Sequence, residues 1–199
     1  MSDAVLGAVL VGGASRRMGE DKASLALDGT PMAHRVTRAL FRGGAGAVVL
    51  VGADDGSEGA IADGWPGEGP LGGLATALLH GAATDGVEIV VVAACDQPDL
   101  SPDLIRRLVE ALHAAPPQVV ACAARTGDGR LHPFPSAWRT GAGEAVAALV
   151  DAGERRADAA FSTGPLVEVA AAASAVDDLD TPEDVATWRA RQRGVQGGT

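Results

Sequence analysis

The stretch VEIVVVAACDQPDLSPDL, residues 87–104, predicts a strand, a polar loop and the start of a helix in direct succession. Its first part, VEIVVVAA (87–94), is a nearly continuous apolar run, which is typical of a strand buried on both faces of a parallel sheet. Ser101, Pro102 and Asp103 then form the usual beginning of a helix, with a hydroxyl cap, proline at the first position and an acid in the first turn. Asp96 therefore lies just beyond the carboxyl end of a strand, where α/β proteins bind ligands.

The same alternation of strand and helix runs along the whole chain. Besides 87–94, strands are predicted at 4–10, 46–52, 118–124 and 165–170. Helices are predicted at 31–42, 71–83, 101–114, 141–152 and 182–193. The glycine-, proline- and arginine-rich segment 125–140 departs from this pattern and indicates a hairpin or an extended flap.

This order of elements predicts a three-layer α/β fold with a doubly wound, mostly parallel sheet of the Rossmann type. We expect a single domain over residues 1–193 and a disordered tail at 194–199.

The composition excludes several classes of function. The 199 residues carry a formal net charge of −10, which argues against a sequence-independent nucleic-acid binder, because such binding depends on lysines and arginines. The sequence shows neither a secretory signal pattern nor an apolar run long enough for a membrane span, so we expect a cytoplasmic protein. Cys95 and Cys122 have no metal-binding spacing and are expected to be reduced, buried and structural.

The loop VGGASRRMGEDK, residues 11–22, follows the first predicted strand and concentrates positive charge in an acidic chain. Gly12 and Gly13 allow backbone N–H groups to approach a ligand closely, and Arg17 and Lys22 can neutralise phosphate oxygens. Arg16 is interpreted as solvated. The loop is neither a GxxxxGK[ST] P-loop nor a GxGxxG fingerprint. It predicts a phosphate-binding site, and a solvated turn is the alternative.

Carboxylates after the later strands are the candidate metal ligands. Asp96 can hold Mg²⁺, which prefers one or two carboxylates together with substrate phosphates; capping of a turn is the alternative. Asp178 and Asp180 lie two residues apart in an extended segment and face the same side, so one of them is a candidate second ligand. His132 is interpreted either as part of an acceptor site or as a hydrogen-bonded structural residue.

Taken in order, five motifs resemble those of the MobA-like nucleotidyltransferases over almost the whole chain. They are GGxSxRMGxDK at 12–22, GPLGG at 69–73, DxPxL at 96–100, HP at 132–133 and DTPED at 180–184. Among the members of this family, the similarity is greatest to those that transfer a guanylyl group to the molybdenum cofactor. The resemblance implies Mg²⁺-dependent transfer of GMP from GTP to molybdopterin with release of pyrophosphate, and transient contact with molybdoenzymes or other cofactor-synthesis proteins.

The resemblance also assigns residues to these roles. For nucleotide binding it implies Leu10, Val11, Gly12, Gly13, Lys22, Gly52, Asp63 and Asp96. For catalysis it implies Arg17, Lys22 and Asp96, with Asp96 and Asp180 as the expected metal ligands. For the acceptor we expect His132 together with Arg155 and Arg156, which lie in the AGERR stretch at 152–156.

Three alternatives stay open at this point. Gly52 stands where the guanylyltransferases of the family carry a nucleotide-contacting asparagine, so a cytidylyltransferase that uses CTP for the same cofactor is one alternative. A sugar-phosphate nucleotidyltransferase is another. The third is a noncatalytic nucleotide-binding or cofactor-carrier protein that has kept the fold.

Overall fold

Nine β-strands and five α-helices lie within residues 4–12, 25–53 and 56–196, the part of the chain that the computed structural model describes. The strands are β1 Val5–Leu10, β2 Ala26–Leu27, β3 Thr30–Pro31, β4 Ala47–Val51, β5 Ala60–Ile61, β6 Ile89–Ala94, β7 Ala121–Arg125, β8 Leu131–Arg139 and β9 Leu166–Ala170. The helices are α1 Met32–Arg42, α2 Gly69–Ala82, α3 Pro102–Ala114, α4 Gly143–Asp151 and α5 Pro182–Gln196.

Each predicted strand and helix has a counterpart close to its expected position. The largest differences lie at element ends: β7 begins at Ala121, three residues after the predicted start at 118, and α2 begins at Gly69 instead of 71. Helix α5 continues to Gln196, so it extends past the predicted end at 193 into the predicted tail. Residues 197–199 of that tail lie outside the described part of the chain.

Seven strands form the main sheet, in the order β5-β4-β1-β6-β8-β7-β9. β1 pairs in parallel with β4 and β6, β4 with β5, and β7 with β9, whereas β8 runs antiparallel to both of its neighbours. The predicted mostly parallel sheet is therefore confirmed, and segment 125–140 is a β7–β8 hairpin. Because β8 runs in the opposite direction, its first residue lies at the sheet edge where β1 and β6 end.

Helices cover both faces of the sheet, which confirms the three predicted layers. Along β1, Val5 and Val9 pack into a core with α1 and α3, whereas Leu6, Ala8 and Leu10 pack into a second core with α2 and α4. This alternation follows from the two-residue repeat of a strand. Burial on both faces explains why the strand sequences are almost uniformly apolar.

Helix α5 packs beside the short β2–β3 hairpin in a small third core that includes Trp188. The indole Nε1 of Trp188 donates a hydrogen bond to Asp99 Oδ2 at 2.9 Å, which attaches the helix to the loop that follows Asp96. At the helix start, Asp184 Oδ2 accepts from the Thr181 backbone N–H at 2.8 Å, and Thr181 Oγ1 accepts from the Asp184 N–H at 3.1 Å. These reciprocal bonds form a capping box and fix the DTPED segment.

Helix α3 begins as predicted at Pro102, after Ser101, but the Ser101 side chain makes no capping hydrogen bond. Asp103 in its first turn instead forms ion pairs with Arg106 and Arg107, each at 3.0 Å.

Cys95 and Cys122 are both buried, as predicted. Burial in the apolar core raises the pKa of the Cys122 thiol to about 12, so this cysteine stays protonated and unreactive. In the described part of the chain no helix combines the length and apolar character that crossing a bilayer requires.

Candidate active site

A cavity of about 980 Å³ opens at the carboxyl edge of the sheet. The ends of β1, β4 and β6, the start of α2, the β7–β8 hairpin and the segments 156–158 and 178–182 all contribute to its lining. This is the position at which open α/β sheets bind their ligands, because loops from neighbouring parallel strands meet there.

One side of the cavity is formed largely by backbone. Leu10, Val11 and Gly12 line it, and the N–H groups of Val11 and Gly12 donate to the Val51 carbonyl at 3.0 and 3.2 Å. Behind them, a Cβ on Gly52 would lie 2.8 Å from the Gly12 Cα. Gly52 also has a φ of +86°, which L side chains rarely adopt. We call residues 10–12, backed by Gly52, the glycine wall.

Asp63 lines the cavity near the glycine wall and is fixed by two hydrogen bonds. Its Oδ1 accepts from the backbone N–H of Trp65 at 3.0 Å and from Thr76 Oγ1 at 2.9 Å. Thr76 lies on α2, so the carboxylate is attached to the helix that begins with the GPLGG motif. A Cβ on Gly73 of that motif would lie 3.2 Å from the Leu10 side chain, so a small residue lets α2 approach β1.

Three carboxylates from distant parts of the sequence line the same cavity: Asp96, Asp178 and Asp180. They are brought together because the Leu179 N–H donates to the Asp96 carbonyl at 3.0 Å. Both predicted aspartates of the DxD segment therefore face one space. Carboxylate oxygens are the hard donors that Mg²⁺ prefers, so the chemistry of this set fits the ion that the fold family implies. Within the described residues, no group of three or more His, Cys, Asp or Glu side chains is clustered closely enough to hold a metal unaided.

Two arginines, Arg130 and Arg156, also line the cavity, and we call them the arginine rim. Arg156 forms a two-point ion pair with Asp158: Nε lies 3.1 Å from Oδ1, and Nη2 lies 2.6 Å from Oδ2. The Arg156 hydrogen bond holds the pKa of the Asp158 carboxyl below its ordinary value. Arg130 is the last residue of the turn that connects β7 and β8.

Arg155, the other predicted acceptor arginine, is not among the cavity-lining residues. Its guanidinium forms an ion pair with Glu68 and donates to the carbonyls of Val150 and Glu154 at 2.9 and 2.8 Å. The side chain thus attaches the end of α4 to the start of α2.

His132 also lies outside the cavity lining, although its neighbours Leu131 and Pro133 belong to it. Its Nε2 lies 3.0 Å from Thr126 Oγ1 across the hairpin. Burial lowers the pKa of the imidazole, with the Arg130 charge as a second cause in the same direction. This geometry agrees with the interpretation of His132 as a hydrogen-bonded structural residue.

The structure adds residues that the sequence patterns did not single out. Arg130, Phe134 and Asp158 line the cavity. Gln97 is buried and donates from Nε2 to the Phe134 and Val176 carbonyls at 2.9 and 3.3 Å. The sequence could have indicated Gln97 by its position directly after Asp96, because a polar side chain at the end of a buried strand needs hydrogen-bond partners.

Gly13, Arg16, Arg17 and Lys22 of the predicted phosphate loop lie outside the described residues. The described neighbours of this loop are Gly12 on one side and Leu25 on the other. Gly12 belongs to the glycine wall.

Residues 7–164 of the chain match the MobA-like NTP transferase domain. The chain belongs to the MobA-like NTP transferase family. It is therefore an enzyme of the nucleotidyltransferase class. The matched range contains the glycine wall, Asp63, Asp96 and the arginine rim.

Relatives named as guanylyltransferases match most of the chain. The chain is 33% identical to the molybdenum cofactor guanylyltransferase of Rhodobacter capsulatus, over 95% of this chain and 97% of that protein. It is 39% identical to the probable molybdenum cofactor guanylyltransferase of Mycobacterium ulcerans, over 79% of this chain and 80% of that protein.

A solved structure shares the fold. The crystal structure of molybdopterin-guanine dinucleotide biosynthesis protein A from Archaeoglobus fulgidus superimposes with a TM-score of 0.74. The two chains are 22% identical, and the superposition covers 96% of this chain and 99% of that one.

Proposed function

We propose that the enzyme transfers GMP from GTP to molybdopterin and releases pyrophosphate. The observation that carries the proposal is that the glycine wall, Asp96 and the arginine rim all line one cavity. This arrangement suits a reaction that joins two phosphate-bearing substrates. The names of the relatives in Rhodobacter capsulatus and Mycobacterium ulcerans support guanylyl transfer to the molybdenum cofactor as the reaction.

The nucleotide lies, in this proposal, against the glycine wall. The backbone at Gly12 permits close approach of a flat base and ribose, since Gly12 is exposed and carries no side chain. Asp63 is held rigidly by Trp65 and Thr76, so its carboxylate is preorganised for hydrogen bonds to the nucleotide. The family resemblance adds Gly13, with Arg17 and Lys22 as the cations that cover the triphosphate.

The chemical step is an in-line displacement at phosphorus. An oxygen of the acceptor's terminal phosphate forms a bond to the α-phosphorus of GTP, and the bond from that phosphorus to the bridging oxygen breaks. Pyrophosphate leaves with the electron pair. The second pKa of a phosphate monoester is about 6, so the nucleophile is largely deprotonated at neutral pH and needs no general base. The protein then acts by positioning the two phosphates and by stabilising charge.

Asp96 and one aspartate of the DxD segment, Asp180, would hold Mg²⁺ in this site. When bound, the ion neutralises charge that develops on phosphate oxygens during transfer. Asp96 is positioned through its backbone carbonyl, which accepts from Leu179 and so keeps the two acidic segments together. Substrate phosphates would complete the coordination.

For the acceptor, the proposal relies on Arg156, because it lines the cavity and its planar guanidinium suits phosphate oxygens. Arg155 and His132 act indirectly, by fixing the neighbouring segments. We further propose that residues 1–193 form one domain and that the enzyme works in the cytoplasm. A buried thiol such as Cys122 agrees with a reducing compartment.

A cytidylyltransferase for the same cofactor is the second candidate. It is favoured by Gly52, where a base-selecting asparagine side chain is absent and a Cβ would meet Gly12. A site that hydrogen-bonds guanine would discriminate strongly against bases that lack those groups. The choice between GTP and CTP is therefore directly measurable.

The test is pyrophosphate release by the purified protein with Mg²⁺, molybdopterin and each of GTP, CTP, ATP and UTP in turn. We expect release with GTP and a loss of about 100-fold or more in Asp96→Asn, since this change removes one charge at constant shape. Asp103→Asn on α3 is the matched control and keeps wild-type turnover.

Three outcomes would count against the proposal. Release with CTP and not GTP would replace it by the second candidate. If release with molybdopterin is absent, the assay is repeated with a sugar phosphate as acceptor, and activity there would assign a different substrate. Absence of turnover with every pair in the folded wild-type protein would leave a noncatalytic nucleotide-binding protein.

A further inference from the structure

The hairpin between β7 and β8 delivers a charged side chain to the acceptor side of the cavity. β7 ends at Arg125 and the antiparallel β8 begins at Leu131, so the connecting turn lies at the carboxyl edge of the sheet. In the sheet order, β6 separates β8 from β1, which places this turn across Asp96 from the glycine wall. Arg130, the last residue of the turn, lines the cavity.

A network of hydrogen bonds fixes this turn. The Thr126 N–H donates to the Arg130 carbonyl at 3.0 Å, and the Gly129 N–H donates to the Thr126 carbonyl at 2.9 Å. Asp128 Oδ1 accepts from Thr126 Oγ1 at 2.6 Å and from the Arg130 backbone N–H at 3.1 Å. Arg125 Nη1 donates to the Gly129 carbonyl at 2.6 Å. The backbone that carries Arg130 is therefore preorganised, although its side chain is exposed.

The charges around the cavity make Arg130 distinctive. Carboxylates outnumber guanidinium groups among the described lining residues, and Arg156 is already paired with Asp158. Arg130 is the lining guanidinium for which the described residues supply no carboxylate partner. Its charge is accordingly available to an anionic ligand that enters on this side.

From this juxtaposition we infer that Arg130 binds the terminal phosphate of the acceptor and so determines acceptor affinity. The inference rests on the proposed function and adds a residue to it. A guanidinium binds two phosphate oxygens with its planar fork, which orients the attacking oxygen as well as neutralising charge. Arg130 forms no covalent bond and transfers no proton during the step. Asp128 is a positioning residue, because it acts on the acceptor only through the backbone of Arg130.

The test compares Arg130→Ala and Arg130→Lys with the wild type in pyrophosphate release, varying molybdopterin at saturating GTP and then GTP at saturating molybdopterin. In Arg130→Ala we expect the KM for molybdopterin to rise about 10- to 100-fold, as for loss of a charge-assisted contact, while the KM for GTP changes less than about twofold. Arg130→Lys should lie between, because it keeps the charge but not the fork. Arg106→Ala on α3 is the matched exposed control.

The positioning role of Asp128 has a separate readout. Asp128→Ala should also raise the KM for molybdopterin, but by a smaller factor than Arg130→Ala. The turn loses two hydrogen bonds in this variant, while the Arg130 side chain remains. Asp128→Asn keeps an oxygen acceptor for both donors and should recover most of that loss. If instead both Asp128 variants behave alike, the carboxylate acts through its charge and the bracing role is wrong.

The outcomes distinguish this inference from the proposed function. No turnover in the folded wild type overturns the proposed function and with it the role of Arg130. Wild-type turnover with an unchanged molybdopterin KM in Arg130→Ala overturns the inference alone. A rise confined to the KM for GTP would assign Arg130 to the nucleotide and overturn it as well.

Discussion

The glycine wall and the arginine rim line the same cavity but are built by different means. On the glycine wall, the shape comes from backbone atoms in contact, with a Cβ on Gly52 lying 2.8 Å from the Gly12 Cα. On the arginine rim, the surface comes from long side chains, of which Arg156 is held by Asp158 and Arg130 stands on a braced turn. A clash between backbone atoms cannot be relieved by rotating a side chain. A long charged side chain, in contrast, can adopt another rotamer.

This difference predicts two kinds of response to substitution. A change on the glycine wall forces the backbone to move, so it should disturb stability and nucleotide binding together. A change on the arginine rim should alter acceptor affinity in graded steps and leave the fold intact, because exposed ion pairs contribute little to stability.

The largest effect is expected for Gly52→Ala. The methyl group would meet the Gly12 backbone, and the φ of +86° adds left-handed strain. We expect a loss of roughly 3 kcal/mol in the free energy of unfolding together with weaker GTP binding. Urea unfolding and a direct GTP titration measure the two quantities.

Gly29→Ala is the matched control for Gly52→Ala. Gly29 has a similar φ of +78° in the β2–β3 turn, but a Cβ there has no atom within 4 Å. Only the strain remains, so about 1 kcal/mol should be lost and GTP binding should be unchanged. Equal losses in the two variants would show that the Gly12–Gly52 contact is unimportant.

An intermediate effect is expected at the Arg156–Asp158 pair. Arg156→Ala should raise the KM for molybdopterin about three- to tenfold, since one exposed charge-assisted contact is lost. Asp158→Asn should lower that KM by about twofold, because it releases the guanidinium from a competing carboxylate. Glu144→Gln, an exposed change of the same charge on α4, serves as the control. Changes in the KM for GTP instead would move Arg156 to the nucleotide side.

The smallest effect concerns pH and His132. Burial lowers the pKa of this imidazole from its ordinary value of 6.5, so the unfolded chain takes up the proton at a higher pH than the folded chain. Stability should therefore fall as the pH drops through 6.5 toward the folded pKa. In His132→Gln, which can still donate to Thr126, that part of the fall should disappear. Urea unfolding at pH 7.5 and 5.5 tests this, with exposed His113→Gln as control; identical pH dependence in His132→Gln and wild type would refute it.

The sequence predicted the frame of the site well because that frame is set by local pattern. Apolar runs covered on both faces identified the strands, and the proline-led starts identified α3 and α5. Asp96, Asp178 and Asp180 were then placed at strand or segment ends that share an edge of the sheet, and all three line the cavity. Arg17 and Lys22, which lie outside the described residues, remain predictions.

The sequence was less informative about which polar or charged side chains reach the cavity. Arg155 and Arg156 are adjacent, yet one pairs with Glu68 and the other lines the cavity. His132 lies within hydrogen-bonding distance of Thr126 across the hairpin instead of lining the cavity. Arg130 was not predicted, because a lone arginine in a glycine-rich turn belongs to no periodic pattern. These outcomes depend on which distant residue each side chain meets, and a local pattern does not encode that.

The sequence by itself determined the order of strands and helices and the acidic positions at strand ends, since each follows from the periodicity and spacing of nearby residues. Its motifs also carried the resemblance to the family that the match over residues 7–164 shows. Only the tertiary structure decided which charges reach the cavity. The antiparallel insertion of β8 carries Arg130 to the carboxyl edge, and the packing of α5 brings the DTPED segment beside Asp96. Both results arise from pairing between segments far apart in the chain, where direction and packing, rather than local propensity, set the position of each side chain.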